Sequence, residues 1–197
     1  MIKRIFDIVV SILGLLFIAP FTPFIALAIF LEDGGSVFVR IPRVSEGRVI
    51  GMYKFRSMVE GAFDMKDDLI DLNDRDKRGP FFKIEDDPRL TKVGRFLRKF
   101  RIDEFPQFFN VLKGDLSVVG PRPHEPREIV DYPEEYSDIP GYKAGITGLS
   151  QVNGASGLHY LEEMRLDKYY IEHQSFWFDI KILLKSIWVF ISDPSGV

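Results

Sequence analysis

Two adjacent carboxylates, Asp103 and Glu104, lie in the segment RIDEFPQFFNVLKGD at residues 101–115. The apolar residues that follow recur at the spacing of one helix face, Pro106 fits a first helical turn and Gly114 fits a helix end. The pattern predicts a helix that begins at the acids. A carboxylate there could act as a nucleophile or bind a metal ion, and it could equally cap the helix by accepting hydrogen bonds from its free backbone N–H groups.

The residues around the acids favour chemistry on an anionic substrate. Asp103 is predicted to share a helical stripe with Gln107 and Asn110. The preceding run RLTKVGRFLRKFR carries six basic residues and no acid, and Arg98 lies on its basic stripe. Ammonium and guanidinium groups neutralise phosphate oxygens well. Glycoside hydrolysis fits poorly, because it needs two carboxyl groups that face each other from about 5 Å or more.

Composition restricts both the fold and the metal. The chain has 197 residues, of which 46% are hydrophobic, so we expect one domain with a real core. It has no cysteine, which excludes disulfides and thiolate metal sites, and its three histidines lack metal-binding spacing. We therefore expect any essential metal to be a hard ion held by oxygen atoms, such as Mg2+.

The N-terminal segment is long enough to enter a membrane. Residues 8–31 form 24 uncharged positions, or roughly 36 Å as a straight helix against a bilayer core of about 30 Å. Pro20 and Pro23 predict a break near Ala19. Basic residues on both flanks would keep both ends cytoplasmic, as in a re-entrant hairpin. A kinked spanning helix remains open, as does a cleaved signal peptide, although no convincing cleavage site follows.

The C-terminal segment SFWFDIKILLKSIWVFIS suggests a second contact with lipid. Trp177 and Trp188 are eleven residues apart, which brings them to nearly the same face of a helix. Lys181 and Lys185 flank that face and could extend their ammonium groups to the headgroups. The segment is predicted to be an interfacial amphipathic helix, with a core helix of the domain as the alternative.

Short strands and helices alternate between these two ends, and GPRP and AGITGLSQVNGASG are typical of turns and loops. The predicted elements are strands at 36–41 and 49–55 and helices at roughly 60–72 and 92–112. We therefore predict a helix-rich α/β chain with a membrane helix-break-helix at residues 1–34 and a catalytic domain at residues 35–197.

The chain resembles the bacterial sugar transferase family, the monotopic phosphoglycosyl transferases of polyprenol-phosphate pathways. The matching segments are YKFRSM (53–58), DPRLTKVGRFLRKFRIDEFPQFFNVLKGDLSVVGPRP (87–123) and GITGLSQVNG (145–154). The N-terminal apolar segment and the pattern LDKYYIEHQSFWFDIKILLKSI match as well. The resemblance implies a re-entrant membrane helix in the bacterial inner membrane, with the catalytic domain on its cytoplasmic face.

The resemblance also implies a reaction. Such enzymes move a sugar 1-phosphate from a UDP-sugar to undecaprenyl phosphate and release UMP, with Mg2+ as cofactor. The family's catalytic pair falls on Asp103 and Glu104. Asp103 would be the nucleophile that forms a covalent phosphosugar intermediate, Glu104 would help to manage the proton of the lipid phosphate, and both would hold the metal.

Five further positions are implied to bind substrate. Lys54, Arg98 and Arg122 match basic positions near the phosphates, and Arg56 and Gln107 are further candidates. The expected partners are the UDP-sugar, undecaprenyl phosphate and membrane lipid but no nucleic acid, and a homodimer is left open. No residue indicates which sugar is transferred.

Two positions depart from the family pattern. Many relatives have a basic residue where this chain has Ala155, which puts one phosphate contact in doubt. Relatives also often carry Ser before the proline of the membrane break, where this chain has Ala19. The break is then expected to depend on Pro20, with help from Thr22 and Pro23.

Two other functions compete with this interpretation. A non-catalytic, lipid-anchored adaptor could place its basic stripes on anionic headgroups, but it would not explain Asp103 beside Gln107 and Asn110. A polyprenyl-phosphate phosphatase would use water as the acceptor and would need no UDP-sugar.

Overall fold

The computed structural model describes residues 1–74, 79–84, 86–154 and 157–192. Within these residues the helices are α1 (Ile2–Ile18), α2 (Thr22–Asp33), α3 (Lys92–Lys99), α4 (Gln107–Lys113), α5 (Pro126–Ile129), α6 (Leu149–Val152), α7 (Tyr160–His173) and α8 (Phe176–Ser192). The strands are β1 (Phe38–Ser45), β2 (Arg48–Phe55), β3 (Ser117–Val119) and β4 (Gly145–Thr147). Short 3₁₀-helices include Asp64–Leu72 and Ile102–Glu104. The predicted helix-rich α/β fold class is confirmed.

The first two strands form an antiparallel hairpin that carries Lys54. Phe38 pairs with Phe55 at its open end. The chain reverses at Glu46 and Gly47, which both have positive φ angles, as a tight two-residue hairpin turn requires. Both strands predicted from the sequence are therefore confirmed, and β1 continues to Ser45.

The second strand pair is parallel and was missed by sequence analysis. β3 pairs with β4, whose residues lie in the glycine-rich segment that we predicted to be loop. That prediction is wrong for residues 145–147, which form β4, and for residues 149–152, which form the short helix α6. Elements of three or four residues are too short to show a periodic pattern, and parallel pairing joins distant segments.

The predicted helix at 92–112 is interrupted. Arg101 adopts a left-handed conformation with φ of 50°, which separates α3 from the 3₁₀-helix Ile102–Glu104 and from α4. Thr91 begins α3 by accepting a hydrogen bond from the N–H of Gly94. The helix predicted at roughly 60–72 is a 3₁₀-helix at Asp64–Leu72.

The break in the N-terminal segment lies where the prolines predicted it. α1 ends at Ile18, α2 begins at Thr22, and the Thr22 hydroxyl donates to the carbonyl of Ile18, as anticipated for Thr22. In the described part of the chain no single helix is both long and apolar enough to cross a bilayer. Among the described helices, α1 and α2 taken together have the length and apolar composition needed to cross a bilayer, but the pair is bent by 62°.

The polar side chains of α1 fasten the helix to the domain. Asp7 is buried and accepts hydrogen bonds from the Ser117 hydroxyl and the Val118 N–H, each at 3.0 Å. Lys3 Nζ lies 2.6 Å from a carboxylate oxygen of Asp179 on α8. One face of α1 is therefore bound to β3 and α8, while large apolar side chains on its other face remain exposed.

Two hydrophobic clusters fill the described structure. The larger cluster joins β2, α4, β3, α7 and α8, with buried side chains that include Met52, Val111, Val118, Met164 and Ile182. The smaller cluster joins the bent pair to β2 and α3 through Ile18, Ile29, Phe55 and Leu97. Ile102 and Phe105 pack against the smaller cluster from either side of the acids, which fixes the acid-bearing turn against α1 and α2.

Helix α8 has one buried and one exposed face. Ile182 and Asp179 are buried, whereas Trp177 and Trp188 are 72% and 68% exposed. The tryptophans thus lie on the solvent side, where the sequence pattern placed them. Contact of that face with lipid stays a prediction.

Candidate active site

Lys54 joins the two carboxylates. Its Nζ donates a hydrogen bond to Glu104 Oε1 at 2.6 Å and lies 3.6 Å from Asp103 Oδ2. Lys54 comes from the end of β2, and the acids come from the 3₁₀-helix that follows α3. The hairpin and the turn therefore form a compact group of one cation and two anions.

Burial and neighbouring charges shift the pKa values of the two acids in opposite directions. Asp103 is only 3% exposed, and this burial raises the pKa of its carboxyl group against the opposing charges of Lys54 and Arg98. Burial also disfavours ionisation of Glu104, but Lys54, Arg122 and Arg101 outweigh it and hold the pKa of Glu104 below its ordinary value. Two neighbouring carboxyl groups with separated pKa values suit different chemical roles.

Asp103 does not cap a helix. Helix α4 begins at Gln107 with Pro106 as its N-cap residue, and no side-chain capping bond is present there. The prediction that the helix begins at the acids is therefore wrong, because Asp103 and Glu104 occupy the preceding 3₁₀-helix. This correction removes the structural explanation that competed most directly with a chemical role for Asp103.

The polar stripe of α4 faces inward. Gln107 and Asn110 are both buried, whereas Phe109 is exposed. Asn110 accepts a hydrogen bond from the N–H of Tyr53 and donates to the carbonyl of Gly51, each at 2.9 Å. Asn110 therefore holds β2 in place beside Lys54. Gln107 is 2% exposed, and no hydrogen bond from its side-chain amide is found within the described residues.

Arg98 lies close enough to act on Asp103. Its charge lowers the pKa of the Asp103 carboxyl group, in opposition to burial. Arg98 Nε donates to the Ser57 hydroxyl at 3.1 Å, which fixes the side chain across the space between α3 and the end of β2. The predicted grouping of Arg98 with the acids is consistent with this arrangement.

Arg122 approaches the site from the Gly-Pro-Arg-Pro turn after β3. Its backbone N–H donates to Asp167 Oδ2 at 3.0 Å, and its Nη1 lies 3.8 Å from Glu163 Oε2. The charge of Arg122 also lowers the pKa of Glu104. Arg122 therefore contacts a second pair of acids, on α7, and its charge also acts on Glu104.

Arg56, a further candidate to bind substrate, contacts the N-terminal helices in the structure. Its guanidinium forms an ion pair with Asp33 at the end of α2, and its backbone N–H donates to the carbonyl of Val37. Arg56 is therefore engaged in joining β2 to the N-terminal helices. No ion pair between Arg56 and Asp103 or Glu104 is found among the described residues.

The donor set suits Mg2+ when substrate is present. No group of three or more His, Cys, Asp or Glu side chains that could enclose a metal occurs in the described part of the chain. Asp103 and Glu104, which both lie against Lys54 Nζ, offer carboxylate oxygens as hard ligands. Mg2+ is usually bound by one or two carboxylates together with substrate phosphates, so this pair fits that mode of binding.

Sequence analysis missed the acids on α7. Glu163 and Asp167 are both buried, four residues apart on one helix face. Burial and the neighbouring Glu163 raise the pKa of the Asp167 carboxyl group to about 7. Their helical spacing was visible in YLEEMRLDKYY, but such acids usually face solvent. The departure at Ala155 lies outside the described residues.

Comparison with known proteins identifies similar chains. The family profile described as Bacterial sugar transferase matches residues 1–193. The chain is 42% identical over 186 residues to Galactosyl transferase CpsE of Streptococcus agalactiae. The aligned region covers 94% of this chain and 41% of CpsE.

Two further relatives match a similar share of this chain. The UDP-glucose:undecaprenyl-phosphate glucose-1-phosphate transferase of Escherichia coli K12 is 41% identical over 200 residues, or 95% of this chain and 39% of that protein. The Uncharacterized sugar transferase EpsL of Bacillus subtilis is 36% identical over 187 residues, or 94% of this chain and 85% of EpsL. The chain thus spans about two fifths of the length of CpsE and of the E. coli protein.

Proposed function

The chain belongs to the bacterial sugar transferase family, and we propose that it transfers a sugar 1-phosphate from a UDP-sugar to undecaprenyl phosphate with release of UMP. The substrates are inferred from those in the name of the E. coli relative. The observation that carries the proposal is the contact of Lys54 Nζ with both Asp103 and Glu104. A buried carboxylate beside cations suits attack on a phosphate.

In the first step, a carboxylate oxygen of Asp103 attacks the β-phosphorus of the UDP-sugar. The bond from that phosphorus to the oxygen bridging the two phosphates breaks, and its electron pair leaves with UMP. The sugar phosphate is then bound to Asp103 as an acyl phosphate. Lys54, Arg98 and Arg122 offset the charge of the phosphates. Gln107 stays a further candidate to bind them, although it is buried.

The attacking form of Asp103 is the ionised carboxylate. Because burial raises its pKa, the nearby charges of Lys54 and Arg98 are needed to make ionisation accessible. The rate of UMP release should therefore rise as pH rises through the elevated pKa of Asp103.

In the second step, an oxygen of the lipid phosphate attacks the phosphorus of the acyl phosphate. The bond to Asp103 breaks, the free carboxylate is restored, and the sugar is left on a lipid diphosphate. The lowered pKa of Glu104 keeps its carboxylate ionised, so it can hold a cation. Its role in managing the proton of the lipid phosphate stays a prediction. A Mg2+ ion bound by Asp103, Glu104 and phosphate oxygens would neutralise the diphosphate charge.

The lipid acceptor requires access to a membrane. We propose that α1 and α2 enter the cytoplasmic face of the bacterial inner membrane as a re-entrant pair, with the tryptophan face of α8 at the headgroups. The 62° bend and the exposed Trp177 and Trp188 support this arrangement.

The test is incubation of the protein with a panel of UDP-sugars, Mg2+ and undecaprenyl phosphate, followed by measurement of UMP. Release of UMP with one sugar, together with a sugar-diphosphate lipid, is the expected result. Release of inorganic phosphate without any UDP-sugar would favour a phosphatase instead. Lipid binding without turnover of any UDP-sugar would favour the adaptor.

A further inference from the structure

We propose that Glu163 is a positioning residue for this reaction. It holds the guanidinium of Arg122 in place by charge while leaving the N–H groups of that guanidinium free for a phosphate of the substrate. The inference rests on the proposed function, since it assigns a role within the same site. Its evidence is the geometry around Arg122.

The backbone of Arg122 is fixed independently of its side chain. Pro121 and Pro123 restrict the main chain on either side. The N–H of Arg122 donates to Asp167 Oδ2, and the other oxygen of Asp167 accepts from the Ser150 hydroxyl at 2.7 Å. The starting point of the Arg122 side chain is therefore the same whether or not Glu163 is present.

The guanidinium of Arg122 forms an ion pair with Glu163 that does not occupy its hydrogen-bond donors. Nη1 lies 3.8 Å from Glu163 Oε2, which is within range for an ion pair but too long for a hydrogen bond. Within the described residues the guanidinium donates no hydrogen bond to protein, and the Arg122 side chain is 30% exposed. Its donors are thus free to form the paired hydrogen bonds that guanidinium groups make with phosphate.

Glu163 is itself rigidly placed. It is 0% exposed, and its second oxygen, Oε1, lies 2.8 Å from His124 Nε2. The His124 ring stacks on Phe81 with centroids 4.2 Å apart, and His124 Nδ1 is in contact with the Tyr132 hydroxyl. One oxygen of the carboxylate therefore contacts His124 in the interior, and the other lies within ion-pair range of Arg122.

This arrangement predicts a specific kinetic effect. In Glu163→Gln the amide can still pair with His124, but the charge that orients Arg122 is gone. We expect the rate of the phosphate-transfer step to fall about ten-fold, as misplacement of a binding group can cause. We expect no rise in KM for the substrate whose phosphate Arg122 binds, because Arg122 retains its charge and no longer has a carboxylate competing for it.

The substrate phosphate could belong to the UDP-sugar or to the lipid, and two assays distinguish them. The first is single-turnover release of UMP from UDP-sugar without lipid. The second is transfer from protein already loaded with sugar phosphate to undecaprenyl phosphate. A slower first step assigns Arg122 to the nucleotide sugar, and a slower second step assigns it to the lipid phosphate.

A double-mutant cycle separates positioning from a merely structural role. If Glu163 acts through Arg122, then Glu163→Gln should have no further effect on the affected step in an Arg122→Met background. The same loss in both backgrounds, or a raised KM with an unchanged rate, would overturn the proposal. Asp179→Asn is the matched control, because this buried carboxylate is paired with Lys3 and should show no kinetic coupling to Arg122.

Two checks keep the test decisive. Thermal unfolding of each variant establishes that it is folded. His124→Phe serves as a second variant, because it keeps a ring against Phe81 but removes the nitrogen that contacts the other Glu163 oxygen. It should reduce the same step, again only when Arg122 is present. If the unsubstituted protein releases no UMP from any UDP-sugar, the proposed function fails; if it is active and the cycle is additive, only the role of Glu163 fails.

Discussion

Replacement of Asn110 by alanine should destabilise the fold beside the acids. Asn110 is 0% exposed and bridges β2 through the N–H of Tyr53 and the carbonyl of Gly51. It also donates to Asp115 Oδ2 at 3.3 Å. Alanine would leave the Tyr53 N–H without its acceptor and would vacate the volume of a buried amide.

The expected loss follows from these contacts. A buried donor left without a partner costs about 1–3 kcal/mol, and the lost packing adds to it, so we expect Asn110→Ala to lower the free energy of unfolding by about 2 kcal/mol or more. For a chain of this size, 1 kcal/mol corresponds to about 2–4 °C in Tm. A decrease of at least about 4 °C is therefore expected. Lys54 follows Tyr53 on β2, so UMP release should fall as well.

The assay is thermal unfolding in detergent, followed by circular dichroism. Asn153→Ala is the control, because Asn153 is exposed and also bonds a backbone carbonyl, that of Leu149. Its substitution should change stability by no more than about 0.5 kcal/mol. Equal small shifts in both variants would refute the reasoning that Asn110 secures β2.

Three further outcomes are expected. UMP release should require Mg2+ or Mn2+ and should stop with EDTA, whereas full turnover in metal-free buffer would contradict the oxygen-ligand site. Burial opposes ionisation of Glu125, but Arg43 and Lys66 help to hold its pKa at about 2, against 4.5 ordinarily. Ionised Glu125 then contributes about 3 kcal/mol to the free energy of unfolding above pH 4.5, and this contribution is lost as pH falls towards 2. If the free energy of unfolding of Glu125→Gln depends on pH between 4.5 and 2 in the same way as that of the unsubstituted protein, the prediction is contradicted. Finally, a cysteine introduced at Ile2 should resist an impermeant reagent added from the periplasm, and its labelling would exclude the re-entrant pair.

Local signals predicted much of the structure. The strand patterns on either side of Glu46-Gly47 and the proline break at Pro20 were readable because each depends on neighbouring residues. Asp103 and Glu104 were recognised from their position among basic residues and from the family resemblance, and the structure places Lys54 beside them. Such features are encoded within a few residues of one another.

Features that depend on distant partners were not predicted. The helix interruption at Arg101 requires a left-handed residue that sequence patterns place at glycine or asparagine. Arg56 pairs with Asp33 across 23 positions, which no local pattern reveals. Glu163 follows an ordinary surface pattern on α7, and only its burial against His124 and Arg122 identifies it.

The central claim is that Asp103 is the nucleophile, and trapping its adduct tests it most directly. Protein mixed with UDP-sugar and Mg2+ but no lipid should gain the mass of one sugar phosphate on the peptide that contains Asp103. Asp103→Asn should lose both the adduct and UMP release, Glu104→Gln should be severely impaired, and Asp115→Asn, which changes an acid just beyond α4, should keep most activity. Substantial turnover by Asp103→Asn, with deamidation to Asp excluded, or an active protein with no adduct after rapid quenching, would contradict the account.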